Sequence, residues 1–210
     1  MSFVISKIYD ALLARSERLC LADWRHGLVS SLAGSVLEIG SGTGRNLEHY
    51  SPTLTRLVLA EPNHHMRKQL TQRIRACKFD TPVELCDSPA ERLDFADASF
   101  DTIVSTLVLC SVADVEQSVR EVHRLLRPGG QFILIEHILA APGSRRRRWQ
   151  QRLNPLWSRC SNGCQLNRDP RPALEYLGFR NQQQVLAELR GAPDFLRTVL
   201  RGRWEKPAAQ

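Results

Sequence analysis

The sequence predicts a single α/β domain built on a Rossmann-like, doubly wound, mostly parallel sheet, and three observations predict it. Short apolar strands alternate with segments whose apolar residues recur every three or four positions. One strand, Val36-Leu37-Glu38-Ile39, runs straight into the glycine loop Gly40-Ser41-Gly42-Thr43-Gly44. The next, Leu57-Val58-Leu59-Ala60, stops at an acid, Glu61, 21 residues after Gly40. Strand–helix alternation of this kind implies parallel pairing with right-handed crossovers, and parallel strands covered on both faces read as continuous apolar runs.

The elements follow in order. Residues 3–31 read as helical, with Ile5, Ile8, Tyr9, Leu12, Leu13, Leu19, Trp24 and Leu28 forming the apolar stripe. Gly34-Ser35 leads into the first strand, and a short helix is expected between the glycine loop and Ser51-Pro52. The second strand covers about 56–60, and Asn63 caps a helix carrying Met66, Leu70 and Ile74. Val83–Cys86 and Thr102–Leu107 are the third and fourth strands. Asp114 caps a helix running to Arg127, buried through Val115, Val119, Val122, Leu125 and Leu126, with Pro128-Gly129-Gly130 as its terminator. Phe132–Ile135 is the fifth strand, ending in Glu136-His137. A basic helix follows at 145–160, broken at Asn154-Pro155, and another starts at Ala173–Leu177. Two last strands, near Gln184–Leu189 and Leu196–Trp204, complete seven as an antiparallel hairpin.

Composition bounds the function. The chain has 210 residues, 42% hydrophobic and 24% charged, the size and balance of one globular domain with a sizeable core. No apolar run approaches the roughly 18 residues that span a membrane. Met1-Ser2-Phe3-Val4-Ile5-Ser6-Lys7 lacks the apolar core of a secretory signal, so a cytoplasmic location is expected. Six scattered cysteines then read as free thiols. Cys160-Ser-Asn-Gly-Cys164 has a loose metal-ligand look, but no second pair at matching spacing completes it, and no metal is expected. The net charge of +7 is concentrated in Arg145-Arg146-Arg147-Arg148, followed by Arg152, Arg159 and Arg168. Such a cluster can touch an anionic membrane surface weakly, and a solvated helix face is the plainer reading.

The glycine loop carries the chemistry. Glycine permits both the sharp turn and a close backbone approach to a ligand. The dinucleotide fingerprint is G-x-G-x-x-G, whereas this loop is the tighter Glu-x-Gly-x-Gly-x-Gly. A carboxylate one strand over, at Glu61, suits a pair of ribose hydroxyls.

With this loop, Glu61 and Leu125-Leu126-Arg127-Pro128-Gly129-Gly130 in place, the chain resembles the small-molecule class I methyltransferases that use S-adenosylmethionine, over residues 9–137. Thr106-Leu107-Val108-Leu109-Cys110-Ser111-Val112, Glu136-His137, Trp149-Gln150-Gln151, Asn154-Pro155-Leu156-Trp157 and Gly163-Cys164-Gln165-Leu166-Asn167-Arg168 are most similar to the alkyl thiol S-methyltransferases of the methyltransferase-like family. The departures are an amphipathic helix where the animal proteins carry a membrane anchor, Glu61 where they have Asp, and a loosely matched C-terminal strand. Phospholipid N-methyltransferases and quinone C-methyltransferases are further relatives of this size.

The resemblance implies S-adenosylmethionine as cofactor and a small-molecule methyl acceptor, a thiol first, with a phospholipid or small amine next and a quinone-like carbon or oxygen acceptor after it. A non-catalytic cofactor-binding module is the reading outside enzymes. Glu38, Gly40, Ser41, Gly42, Gly44 and Asn46 would approach the methionine and ribose part, with the Glu38 carboxylate near the cationic amino group. Glu61 and Pro62 would hold the ribose, Asp87, Ala90 and Glu91 the adenine, and Thr106 and Leu107 the floor beneath the methyl. His137, outside the fifth strand, is the candidate to take a proton from the acceptor, with Arg168 as a fixed charge in its place. Tyr9, Cys110, Trp149 and Trp157 are candidate walls of the acceptor pocket. Thr106-Leu107-Val108-Leu109 stands where base-modifying amino methyltransferases show an Asn/Asp-Pro-Pro-aromatic segment, which argues against a nucleic-acid substrate. Residues 1–34 are expected to form a helical lid on a 35–210 methyltransferase domain, with 138–180 covering the substrate. The oligomeric state is left open.

Overall fold

The computed structural model describes residues 3–77, 81–161 and 163–208, with side chains from Tyr9 onward. Ile5 and Ile8 of the expected stripe therefore lie outside the described side chains. A seven-stranded sheet organises the chain, in the order β3-β2-β1-β4-β5-β7-β6. The strands are β1 (Gly34–Ile39), β2 (Leu54–Ala60), β3 (Val83–Cys86), β4 (Phe100–Thr106), β5 (Leu126–His137), β6 (Arg180–Glu188) and β7 (Thr198–Glu205). The first five are mutually parallel, and β7 runs antiparallel to both β5 and β6. The helices are α1 (Phe3–Ser16), α2 (Ala22–Val29), α3 (His64–Ala76), α4 (Val115–Leu125), α5 (Arg145–Cys160) and α6 (Arg171–Tyr176). A π-helical turn, Glu17–Leu21, joins α1 to α2.

Two apolar clusters lie on opposite faces, as strand alternation requires. Leu37, Ile39, Val58, Ile103, Phe132 and Leu134 pack with Val119, Val122 and Leu125 of α4 and Leu174 of α6. Val36, Leu57, Leu59, Val104, Ile133 and Ile135 pack with Leu28 and Val29 of α2 and Leu70 of α3. Both faces are covered, so the central strands are buried along nearly their whole length.

The expected caps are present. The Asn63 side chain accepts from the His65 and Met66 amides, and Asp114 Oδ1 accepts from Gln117 N. Four expectations need correction. After the glycine loop there is only a 3-10 turn, Leu47–His49, because Asn46 is drawn into a buried network described below. Helix α4 ends at Leu125, and Pro128-Gly129-Gly130 lies within β5, where Gly129 N donates to Lys206 O. Arg127 precedes a proline and is disfavoured in the α region, so the chain goes extended at once. Helix α5 runs through Pro155 unbroken, and Asn154 turns its side chain outward to Gln165 Oε1 and Leu166 N. The closing hairpin is longer and more polar than its apolar pattern suggests. Gly202 in β7 sits opposite the irregularity at Asn181/Gln183, where a Cβ would fall 1.7 Å from Gln183 O, so only glycine fits.

Candidate active site

The site gathers at the carboxyl ends of β1, β2, β4 and β5, where ligands bind in open α/β sheets. Gly40, Gly42 and Gly44 all adopt positive φ, at 58°, 56° and 85°. Their surroundings differ. A Cβ on Gly40 would strike Val108, and one on Gly44 would strike Leu70 and Leu47, so these two are closed by packing. At Gly42 the nearest atom would be Gly40 O at 3.9 Å. The open side of the turn is therefore at Gly42, the approach a nucleoside ligand needs.

Glu61 stands next to that opening and is buried. Its Oε2 accepts from Gly42 N at 2.8 Å and its Oε1 from Asn63 N at 2.7 Å. Each oxygen keeps a further lone pair, which suits the two hydroxyls of a ribose. Burial raises its pKa against the opposing pull of those amides. Pro62 beside it is exposed, and its carbonyl accepts from Arg67.

Glu38 lies beneath the loop in a chain of buried groups. Its Oε1 accepts from Asn46 Nδ2 at 3.0 Å, and its Oε2 from Tyr50 OH at 2.7 Å. Asn46 Nδ2 also reaches Thr106 Oγ1, and Asn46 Oδ1 accepts from Arg25 Nη1 at 2.8 Å. Arg25 is paired in turn with Glu17. Ser41 closes the turn by donating to Glu38 O. The Glu38 carboxylate is thus engaged within the protein, holding Asn46 and the loop from below, instead of standing free for a cationic amino group. Burial pushes its pKa up to about 7, against the hydrogen bonds of Tyr50 and Asn46 and the charge of Arg25. Arg25 and Tyr50 were not singled out by the sequence, because both are remote in the chain and carry no local signature.

The adenine segment is less uniform than expected. Asp87 is largely exposed, 3.8 Å from Arg67, and lines an open cleft of about 400 Å³ with Arg67, Cys86 and Phe95. Ala90 is buried in the core. The Glu91 carboxylate accepts from Ala113 N at 2.6 Å and Asp114 N at 3.3 Å, so it anchors the start of α4. Of the three, only the Asp87 side chain lies open to solvent.

The turn that leaves β4 is strained. Leu107 has φ 58° and donates its amide to Ile135 O at 2.7 Å. A branched residue in the left-handed region is uncommon and costs of order 1 kcal/mol, and such strain gathers at functional sites. Glu136 holds the turn in place, accepting from Ser105 Oγ at 2.6 Å and Val108 N at 2.9 Å.

Beyond Leu107 three side chains converge. His137 Nε2 lies 2.9 Å from Cys164 Sγ, and Cys110 Sγ belongs to the same cluster, all three donor atoms within 4.8 Å of one another. Cys164 meets Cys110 and His137, not Cys160, which is exposed. Tyr9 stands close enough for both cysteines and Arg25 to act on it, and burial raises its hydroxyl pKa. Arg168 is not a free charge. Its guanidinium donates to Leu109 O at 3.1 Å and to Val112 O, stapling the loop that carries Cys110.

The tryptophans do not form a common roof. Trp149 is exposed, whereas Trp157 packs edge-on against Phe195 at 5.2 Å. Eight helical residues overshoot two turns by about 80°, which separates the two rings. The arginine cluster is partly engaged too: Arg146 pairs with Glu188 and Asp194. Among the described residues, no helix is long and apolar enough to cross a membrane.

The comparisons agree with this geometry. Residues 37–134 match the family described as methyltransferase domain. The chain is 37% identical over 175 residues to human thiol S-methyltransferase TMT1A, covering 82% of this chain and 70% of that protein. It is 37% identical over 150 residues to human thiol S-methyltransferase TMT1B, covering 71% of this chain and 61% of that one. A SAM-dependent methyltransferase structure from Methanosarcina mazei superposes with a TM-score of 0.66 at 20% identity, covering 88% of this chain and 97% of that one. The chain belongs to the S-adenosylmethionine-dependent methyltransferases, in the family that includes the thiol S-methyltransferases.

Proposed function

We propose that the chain transfers a methyl group to a small, apolar thiol seated in the corner between Leu107, Cys110, His137 and Cys164. The observation that carries this reading is the corner itself. It is a group of soft and basic side chains, two of them buried, beside the strained end of β4, and Val108 of the same loop packs against Gly40. The names of the human relatives support the same acceptor class.

The chain's own residues divide the work. Gly42 leaves room for the nucleoside, Glu61 holds the ribose hydroxyls, and the 87–91 backbone covers the base. Thr106 and Leu107 form the floor, fixed by Asn46 and Glu136. Residues 1–34 and 138–180 are the segments to close over the site and exclude water, since Asp10 of α1 bonds the glycine loop and the loop before α6 carries Cys164 into the corner. When bound, S-adenosylmethionine supplies a methyl already activated on a sulfonium, and its transfer to a thiolate leaves two neutral thioethers. What remains for the protein is positioning and thiolate formation. A free thiol with a pKa of about 8.5 is only about 3% ionised at neutral pH. His137 is the residue that drives the acceptor into its thiolate form.

Mass-spectrometric detection of methyl transfer to an alkanethiol tests this, with a small amine and phosphatidylethanolamine vesicles as parallel acceptors. Expected is S-methylation alone, reduced about 100-fold or more in His137→Ala while cofactor binding persists. Product on the amine or the lipid, with none on the thiol, would replace this acceptor by the other.

A further inference from the structure

The proposed methyl transfer gives His137 a chemical task and gives none to Cys110 and Cys164, which stand beside it. The ligand atoms of the three, two sulfurs and one imidazole nitrogen, lie within 4.8 Å of one another. Cys110 and His137 are buried and Cys164 nearly so. They come from three separate parts of the chain: the loop after β4, the last residue of β5 and the loop after α5.

Each position is fixed by backbone bonds, and the Cys110 thiol has only weak contacts to exchange for a cation, with Leu107 O at 3.6 Å and Ser111 Oγ at 3.4 Å. Gln165 N donates to Cys110 O at 2.7 Å, which ties the two cysteine loops together. Arg168 binds the carbonyls on both sides of Cys110, at Leu109 and Val112. His137 is paired with Val199 in the sheet, and Ile138 N donates to Thr198 O at 2.8 Å. A set held this way is organised before any ligand arrives.

We propose that Cys110, His137 and Cys164 bind one thiophilic divalent cation of the Zn²⁺ type, leaving a fourth tetrahedral position open to the acceptor thiol. Metal–sulfur bonds of about 2.3 Å and metal–nitrogen bonds of about 2.0 Å set donor separations of roughly 3.5–3.8 Å in a tetrahedron, which small side-chain adjustments reach from the observed cluster. Two sulfurs and one imidazole form a catalytic type of set, with three protein ligands and one exchangeable position, and not a closed structural one. Soft thiolate donors select Zn²⁺-like ions over Mg²⁺ or Ca²⁺, whose sites are built of oxygen.

The role of the fourth position rests on the thiol reading given above. Coordination of the acceptor replaces its S–H bond by a metal–sulfur bond, and the proton passes to solvent. His137 then serves the thiolate as a ligand of the cation. The methylated product is a neutral thioether, a weaker ligand than a thiolate, so it leaves the position for the next acceptor.

The test uses the full chain, reduced and stripped with a chelator, titrated with Co²⁺ alone. Expected is saturation at one equivalent, with a thiolate-to-cobalt charge-transfer band and the intense visible absorption of tetrahedral Co²⁺, displaced by Zn²⁺. Cys110→Ser and Cys164→Ser should each lose the charge-transfer band and saturable binding, while Cys160→Ser keeps both. Cofactor binding by calorimetry shows that each variant is folded. No saturable Co²⁺ binding by wild type that still binds cofactor would overturn the site, as would wild-type binding in both cysteine variants. Addition of an alkanethiol should shift the cobalt spectrum. A triad-dependent spectrum that the thiol leaves unchanged would uphold the cation site and overturn the fourth-ligand role, while the acceptor reading stands or falls on the methylation assay.

Discussion

Glu61→Ala is expected to weaken S-adenosylmethionine binding by more than about 100-fold. A carboxylate accepting from two ribose hydroxyls makes two charge-assisted bonds, each contributing about 1.5–3 kcal/mol. Their joint loss, of about 3 kcal/mol or more, corresponds to at least two orders of magnitude in affinity. The structure adds a second component. Glu61 also accepts from Gly42 N and Asn63 N, so truncation leaves two amides without their acceptors and loosens the open side of the glycine turn. Glu61→Asp keeps the charge while shortening the reach by one methylene, and it should lose far less. Isothermal titration with S-adenosylmethionine and S-adenosylhomocysteine distinguishes these cases. Affinity within about three-fold of wild type in the alanine variant would remove Glu61 from the cofactor site.

The second large effect is on stability and its pH dependence. Glu38 is raised from 4.5 to about 7 by burial, so the folded chain holds this proton more tightly than the unfolded chain does. Stability is therefore greatest below the unfolded value and falls as pH rises from about 4.5 through about 7, by about 3 kcal/mol for this group. Glu61 and Glu136 are raised by burial as well and act in the same direction. Glu38→Gln removes the ionisation and keeps an acceptor for Asn46 or Tyr50. Its unfolding free energy should exceed that of wild type above about pH 7 and converge with it below about pH 4.5, leaving the smaller slope of the other two acids. Urea unfolding at several pH values measures both. Parallel profiles for the two proteins would show that Glu38 ionises normally.

How much of this was legible in the sequence depended on whether the information was local. The glycine turn, Glu61, and the caps at Asn63 and Asp114 are each written within a few residues, and each stands where the pattern put it. Four of the five parallel strands were legible because burial on both faces leaves them largely apolar runs, whereas β3, at the sheet edge, is only partly covered. The hairpin was legible only as a pair, since β6 is mostly exposed and its bounds follow from pairing with β7. The network from Arg25 through Asn46 to Glu38 and Tyr50 was not legible, because its members meet only after α2 packs beside β1. Cys164 was seen, but beside the wrong partner. A short spacing drew attention to Cys160, whereas the fold brings in Cys110 and His137 from 54 and 27 positions away. Arg168 read as a fixed charge for the acceptor because its actual partners, backbone carbonyls of the 109–113 loop, leave no mark in the sequence, while the adjacent Asp169 pairs with Arg171.

Helix α1 touches both halves of the site through adjacent residues. The Asp10 carboxylate accepts from Thr43 of the glycine loop at 2.7 Å and from Arg73 of α3 at 2.9 Å, and it pairs with Arg45. Burial alone would raise its pKa, but the Thr43 hydroxyl and the two arginines hold it below the ordinary value. Tyr9, one residue earlier, lies within electrostatic reach of Cys110 and Cys164. A stiff helical turn cannot let go of one ligand's seat while keeping the other. The consequence we propose is kinetic: cofactor entry displaces α1 from the glycine loop, and the helix completes the second seat only when it returns. Addition is therefore expected to be ordered, with S-adenosylmethionine leading and S-adenosylhomocysteine last to depart. Product inhibition by S-adenosylhomocysteine should then be competitive against the cofactor and noncompetitive against the acceptor, whereas a random-order pattern would mean that α1 opens for each ligand independently.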